Sequence, residues 1–267
     1  MSWLAHGKHK MKDVQSEPGN VEIDINKVGI NNLSIPLIIA DKEHSEQSTI
    51  AKINMYVNLP KQYKGTHMSR FLEIIYAYTA RAISIKDVEK ILSDMQERFD
   101  AEEAHLDLKF PFFLRKKAPI TKKTSLLDYK CKFLCSKGKE KKSLIVIEVP
   151  ITTLCPCSKE ISKYGAHNQR SIVTVKVLLN EFVWIEDLIK LVEDEASCQI
   201  YPLLKRPDEK YVTEKAYENP NFVEDVVRKV AMKLRQMKEL KGFTVECENY
   251  ESIHNHNAYA YIEEGLK

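Results

Sequence analysis

Cys155, Cys157 and His167 stand within one short stretch, TLCPCSKEISKYGAHNQR, and each can bind a metal or carry a proton. Two thiols at i and i+2 point to one side where the chain is extended. Pro156 between them favours extension at Cys155 and removes one amide donor. His167 follows Cys155 by 12 residues, room enough for a fold-back that completes a mixed site. Sulfur plus imidazole suits zinc or iron. A structural metal clip, a redox pair and a catalytic site are the readings to weigh, with two plain loop cysteines as the simplest alternative. No second cysteine pair follows, and the C-x-x-C redox spacing is absent. Too few thiolates for a closed structural zinc site leave an open coordination position, which is what catalysis uses.

Three further stretches carry ionisable side chains at telling spacings. In ESIHNHNAYAY, His254 and His256 alternate. On a strand both rings would face one side, able to bind a metal or pass protons; a solvated surface strand is the plainer reading. In PDEKYVTEKAYENPNFVEDVVR, Glu209, Glu214, Glu218 and Glu224 offer carboxylates. Phe222, Val226, Val230 and Leu234 mark a buried helical stripe, with Glu224 off it. Asn221-x-x-Glu224 reads as a capping arrangement, yet a carboxylate there also suits two N–H donors on an amidine-like edge such as that of guanine. In KGTHMSRFLE, Lys64, His67, Ser69 and Arg70 precede a helix and make a natural anion site, unless Thr66 or Ser69 merely caps it. The eight glycines never cluster, so there is no G-x-G-x-x-G turn or P-loop to cradle phosphates.

The elements that must hold these residues follow from periodicity. LSIPLIIADK and QSTIAKINMYVNLP read as strands, and SRFLEIIYAYTARAI as a helix with Phe71, Ile74, Ile75 and Tyr78 at helical spacing. A second helix follows in SIKDVEKILSDMQERF, started by Ser84 and Asp87 and striped by Val88, Ile91, Leu92 and Met95. Strands resume around 105–114, 126–135 and 143–151. The order then recurs: a strand in SIVTVKVLLN, helices in VWIEDLIKLVEDEASC and NPNFVEDVVRKVAMKLRQMKEL, and a strand pair in GFTVECENYES and HNHNAYAYIE. Helices in runs between antiparallel strands argue α+β rather than a doubly wound parallel sheet.

Composition narrows the classes. The chain has 267 residues, 43% hydrophobic and 30% charged, with a net charge of +3. That suffices for a large core and is too balanced for a polyanion binder, so no nucleic acid partner is expected. From Arg115 to Lys142 there are eleven Lys or Arg against Asp128 and Glu140. With few aromatics among them, a hairpin with SKGKEKK at its tip, its lysines keeping an edge soluble, is preferred over a phosphate-binding face. No apolar run is long enough to span a membrane, and the opening residues lack a signal-peptide core. A cytoplasmic protein with reduced thiols is expected, and Cys131, Cys135, Cys198 and Cys247 read as ordinary buried residues.

Taken together, GTHMSRF, TLCPCSKEIS, GAHNQRS, FVEDVVR and ESIHNHNAYA, in that order, resemble GTP cyclohydrolase type IB, the bacterial first enzyme of folate synthesis. The leader segment DVQSEPGNVEIDINKVGI is similar too, so the resemblance covers essentially the whole chain. It implies two tandem tunnelling-fold modules, antiparallel strands with an inserted helix pair, over 21–150 and 151–267 after a flexible leader at 1–20. Such modules assemble into barrels, and the family is a homotetramer with active sites at subunit interfaces. The implied reaction turns GTP and water into 7,8-dihydroneopterin triphosphate and formate. By resemblance, Cys155, His167 and Glu209 hold or abut a divalent metal. Zinc, manganese and iron all suit that mixed donor set, with availability deciding. His254 and His256 become proton carriers, with Glu251 orienting one of them, and Glu224 the anchor for the purine edge. Arg170, His67, Ser69, Arg70 and Lys64 become phosphate candidates, while Cys157 supports the loop, contacts substrate or oxidises with Cys155. Two alternatives stand beside this reading. One is the archaeal relative with a cyclic phosphate product, against which the leader speaks. The other is a catalytically silent tunnelling-fold protein that binds a purine or pterin around a structural metal.

Overall fold

The computed structural model describes Gln15 and residues 21–266, so the leader expected at 1–20 lies, Gln15 apart, outside the described residues. The first half runs β1 (Ile25–Asp41), β2 (Ser45–Leu59), α1 (Met68–Tyr76), β3 (Ala82–Ile83), α2 (Ile85–Phe99), β4 (Ala104–Lys117) and β5 (Thr124–Lys137). The second runs β6 (Lys142–Leu154), α3 (Pro156–Ile161), β7 (Asn168–Leu179), α4 (Ile185–Asp194), β8 (Cys198–Gln199), α5 (Arg206–Glu218), α6 (Val223–Arg235), β9 (Leu240–Asn249) and β10 (Ala258–Glu264). The strands form one sheet in the order β10-β9-β7-β6-β5-β4-β2-β1-β3, with β8 beside β6. Every pairing is antiparallel except that of the short β3 with β1. The α+β class is therefore as expected. Two strands, helices and two strands do occur twice; residue 150 falls inside β6, which runs unbroken to Leu154.

Alternation builds the core. On β2, Ala51, Ile53, Met55 and Val57 are buried, while Lys52, Asn54 and Tyr56 between them face the other side. The same parity buries Leu106, Leu108, Phe110 and Phe112 on β4 and Ile145, Ile147, Val149 and Ile151 on β6. Helical stripes cover that apolar face: Val88, Ile91, Leu92 and Met95 from α2, and Val226, Val230 and Leu234 from α6. Each such side chain contributes about 1.5–3 kcal/mol when fully buried, so the pattern binds helices to sheet in one continuous core.

Several local expectations change. The helix read from Ser69 to Ile83 stops at Tyr76. Tyr78 turns inward to bond Asp94 at 2.6 Å, and Ile83 joins the sheet as β3. The Ser84–Asp87 capping box forms as expected, with Ser84 N donating to Asp87 Oδ2 at 3.0 Å. At α6 the cap differs: Phe222 is the N-cap residue, its amide donates to Asp225 Oδ2 at 3.0 Å, and Asn221 lies one residue outside. Phe222 is exposed and Val223 takes its place in the stripe, because the helix starts one residue later than the Asn221 register requires. The basic SKGKEKK stretch is the β5–β6 hairpin tip, but both strands are central in the sheet rather than at its edge. Of the basic residues between Arg115 and Lys142, Lys116 on β4 is buried.

Candidate active site

The end of β6 carries the cysteine pair. Cys155 leaves the strand with extended backbone, φ −70° and ψ 116°, and caps α3, with Pro156 in its first turn. The expected extension holds at Cys155 and ends there. Cys157 lies exposed in the first turn of α3, so the two thiols do not share an extended strand. Cys155 Sγ accepts from Ser158 N at 3.4 Å. Gly165 then reverses the chain at φ +77°, a left-handed conformation that glycine adopts without strain. The return brings His167 back beside Cys155: Cys155 N donates to His167 O at 3.1 Å, and His167 N donates to Ser158 Oγ at 3.2 Å.

The His167 ring is mostly buried. Its Nδ1 lies 3.2 Å from Gln169 Oε1, 3.5 Å from Ser252 Oγ and 3.8 Å from Glu251 Oε2. Glu251 Oε2 is itself buried with no hydrogen-bond donor. Glu251 is thus placed against His167. His254 and His256 lie on the exposed loop between β9 and β10, not on a strand, because the pairing stops at Asn249 opposite Ala258. The intervening Asn255 and Asn257 are turn formers. Their rings nonetheless stack, with centroids 5.1 Å apart and planes 14° from parallel.

Two helices bring carboxylates to the same end. The first turn of α5 carries Asp208, which is wholly buried. Its carboxylate accepts from Ile120 N at 2.8 Å, Thr121 N at 2.9 Å, Thr121 Oγ1 at 2.6 Å and Lys205 N at 3.0 Å. Burial pushes the pKa of this carboxyl up, but the Thr121, Lys205 and Ile120 donors outweigh it and hold the group well below the usual carboxylate range. Asp208 so pins the β4–β5 turn to the helix that carries Glu209, which is exposed one residue on. At α6, Asn221 is buried; its amide donates to Leu154 O at 3.1 Å and its Nδ2 to Ser197 Oγ at 3.2 Å. Ser197 Oγ accepts from Leu154 N at 3.3 Å. Leu154 precedes Cys155, so one buried clamp ties the Cys155 turn to the helix whose first turn exposes Glu224.

The register divides the candidates between two ends of the sheet. Leu154 pairs with Asn168, Ser171 with Asn249, and Asn249 with Ala258. Cys155, Cys157, His167, Arg170, Glu251, His254 and His256 therefore gather at one end, with Glu209 and Glu224 joined to it through α5 and α6. At the other end, Val57 pairs with Ala104, Ala104 with Lys137, and Ser136 with Lys142. Lys64, His67, Ser69 and Arg70 follow β2 there, with His67 as the N-cap residue of α1 making no side-chain cap bond. His67 and Arg70 line a cleft of about 210 Å³ with Tyr63, Glu97 and Phe99. Strand β6 alone separates the two ends by about 40 Å. One chain does not bring the two groups together.

The remaining cysteines are structural. Burial pushes the Cys135 and Cys247 thiols up to about 12, and those of Cys131 and Cys198 up as well, which leaves them protonated and inert. Among the described residues, no three His, Cys, Asp or Glu side chains stand close enough together to hold one metal ion. In kind, though, the donors at this end fit a divalent metal: the partly exposed Cys155 thiol, the His167 imidazole, backed at Nδ1 by Gln169 and Glu251, and the exposed Glu209 carboxylate on α5.

Residues 11–260 match the sequence model of a family described as type I GTP cyclohydrolase folE2. The chain belongs to that family. GTP cyclohydrolase FolE2 of Magnetococcus marinus is 54% identical over 258 residues, covering 96% of this chain and 97% of that protein. GTP cyclohydrolase FolE2 of Thermosipho africanus is 53% identical over 253 residues, covering 94% and 97%. Among solved structures, uricase from Arthrobacter globiformis aligns with a TM-score of 0.53 at 9% identity, covering 91% of this chain and 94% of that one. A highly active mutant of Bacillus sp. TB-90 urate oxidase gives 0.54 at 8%, covering 90% and 100%. At such identities the likeness concerns the fold alone, which is the tunnelling fold. Within this FolE2-family chain, the residues that periodicity and spacing did not single out are Gln169, Thr153, Ser171, Ser197 and Asp208, and Asn221, read as a helix cap, proves instead to be a buried clamp residue. Pro207 followed by Asp208 was the one readable signal, a helix start with an acid in its first turn.

Proposed function

We propose that the chain is a GTP cyclohydrolase that converts GTP and water to 7,8-dihydroneopterin triphosphate and formate. The observation that carries this beyond family membership is the gathering of Cys155, His167, Glu251 and the His254–His256 loop at one sheet end. The reaction opens the imidazole ring of guanine at C8, so it needs a nucleophilic water there and a proton donor for the ring nitrogens. Cys155 and His167 are the residues to hold a divalent metal, with Glu209 as the carboxylate that completes the set; zinc, manganese and iron(II) all suit it. Such an ion would supply an activated water, since coordination lowers the pKa of water from about 16 toward about 7.

The chain's own residues do the rest. The stacked His254 and His256 rings exchange protons with the opening ring. Glu224, exposed because Asp225 takes the capping role, accepts the N–H donors of the guanine edge. Arg170, exposed on β7, takes phosphate oxygens at the same end. In this reading Lys64, His67, Ser69 and Arg70 serve an active site of another copy, in a homotetramer of tandem tunnelling-fold modules closed into barrels with interfacial sites; the separation of the two groups along the sheet supports the second copy. The cytoplasm suits the site, since all six cysteines are free thiols. No helix among the described residues is long and apolar enough to cross a membrane.

The test is direct. Purified protein with GTP and zinc, manganese or iron(II) should yield formate and a pterin that fluoresces after oxidation. Mass spectrometry should find the triphosphate rather than a cyclic phosphate. No pterin with any of the three metals overturns the proposal.

A further inference from the structure

We propose that Gln169, held in place by Thr153 and Ser171, is a positioning residue that keeps the proton of neutral His167 on Nδ1 and leaves Nε2 as the bare ring nitrogen. The inference deepens the reading of His167 as a metal ligand, and its consequence for metal binding rests on that reading.

The sheet's core side is apolar along β6 and β7 until this end. Ile147, Val149 and Ile151 give way to Thr153, and Val175 and Val173 give way to Ser171 and Gln169. Thr153 and Ser171 are wholly buried, and Gln169 is nearly so. Buried polar groups persist where they are hydrogen-bonded, and these are. Thr153 and Gln169 face each other across the strands. Gln169 Nε2 donates to Thr153 Oγ1 at 2.9 Å, and Thr153 Oγ1 lies 2.9 Å from Ser171 Oγ. With its nitrogen so engaged, the carboxamide turns Oε1 toward His167 Nδ1 at 3.2 Å.

The other neighbours of Nδ1 agree. The carboxylate of Glu251 approaches to 3.8 Å and has no donor for its buried Oε2. An ionised carboxylate only accepts. A flipped carboxamide would present its NH2 to Nδ1 and require a lone pair there, beside that carboxylate. A proton on Nδ1 instead meets Gln169 Oε1 and faces Glu251, while the Ser252 hydroxyl at 3.5 Å serves either arrangement. A neutral imidazole protonated on Nδ1 carries its lone pair on Nε2. Outer partners of this kind typically change metal affinity by about 10–100-fold.

The test reads the ring in metal-free protein labelled with ¹⁵N-histidine, at a pH where histidine is neutral, with His167→Gln assigning the signal. Long-range proton–nitrogen spectra should show Nδ1–H in the unmodified protein. Gln169→Met should shift the ring to a mixture or to Nε2–H, and Gln169→Glu, which keeps an acceptor, should restore Nδ1–H. Nε2–H in the unmodified protein overturns the proposal, whether or not any variant folds; so does Gln169→Met without effect on the ring. Competition with a chelator for zinc reads the consequence: weaker binding by about 10–100-fold in Gln169→Met and less in Gln169→Glu. A protein that shows Nδ1–H yet binds no zinc refutes the metal reading and leaves the role of Gln169 standing.

Discussion

Lys116, Glu193 and Tyr129 form a buried charged knot whose removal can be predicted with opposite outcomes for single and double changes. Lys116 Nζ meets Glu193 Oε2 at 2.5 Å, and the two side chains are only 9% and 5% exposed. Tyr129 OH donates to Glu193 Oε1 at 2.6 Å, and Lys116 also donates to Gln199 Oε1 at 2.9 Å. The knot joins β4 and β5 to α4 and β8, and β8 pairs with β6 just ahead of Cys155. At 2.5 Å and an effective dielectric near 20, the gross attraction is about 7 kcal/mol. Desolvating two ions cancels most of that, so the pair adds little net stability. Breaking it is another matter. Lys116→Met leaves Glu193 buried and unpaired and should cost about 3–5 kcal/mol. Lys116→Met with Glu193→Gln removes both charges and keeps an acceptor for Tyr129, so it should return to within about 1 kcal/mol of the unmodified protein. Urea denaturation midpoints at neutral pH and fixed protein concentration give the four corners of the cycle. A double variant as unstable as the sum of the singles would refute the reasoning, as would a harmless Lys116→Met.

Three further outcomes follow from the same geometry. The Asp208 carboxyl is held below its unfolded value, so its stabilisation is full above about pH 4 and is lost as pH falls through the lower folded value. Asp208→Asn should lower the melting temperature at neutral pH and shrink the gap to the unmodified protein in acid; a gap that widens in acid would contradict this sign. Asn221→Ala keeps the backbone bond to Leu154 O but removes the Nδ2 bond to Ser197, which in turn holds Leu154 N, and strips Lys229 of its bond to Asn221 Oδ1, which should cost about 1–3 kcal/mol by urea denaturation; an unchanged midpoint counts against the side-chain half of the clamp. Arg70→Ala and Cys155→Ala should each abolish pterin formation alone. Co-expressed, they should recover activity in about a quarter of the sites if each site draws on two subunits; no recovery in mixed assemblies excludes the shared site.

Legibility in the sequence followed the range of the interaction that decides each element. β2 was legible because its alternation is local and strict, with Ala51, Ile53, Met55 and Val57 on one face. α2 was legible because Ser84 and Asp87 announce its start and its stripe is unbroken. The last turns of the first helix were not, because Tyr78 is drawn inward by Asp94 and Ile83 by β1, both contacts outside any local window. α3 and α5 were missed for a related reason: their faces are mostly polar, so they carry little 3.6-residue signal. At the site, Cys155 and His167 were legible as residue types with a spacing. Gln169 was not, since a single glutamine between a histidine and an arginine looks like surface. Its meaning comes from Thr153 opposite it, across a pairing that only the register of β6 and β7 defines.

The division of the site between two ends has a simpler origin, and it was countable. In an antiparallel meander each strand carries the chain to the opposite end. GTHMSRF follows the exit from β2, and the α1–α2 excursion returns the chain to that same end, since Val57 pairs with Ala104 at the start of β4. From there β4, β5 and β6 must be traversed before TLCPCSKEIS. Three traversals are an odd number, so the two motifs emerge at opposite ends whatever the loop lengths. An even number would have put them at the same end of the sheet in one chain. If both motifs serve one active site, the motif after β2 must come from a second copy, and the need for an oligomer is written in the strand count rather than in either motif. Helix lengths and side-chain details do not alter that parity; only the loss or gain of a whole strand between residues 104 and 154 would.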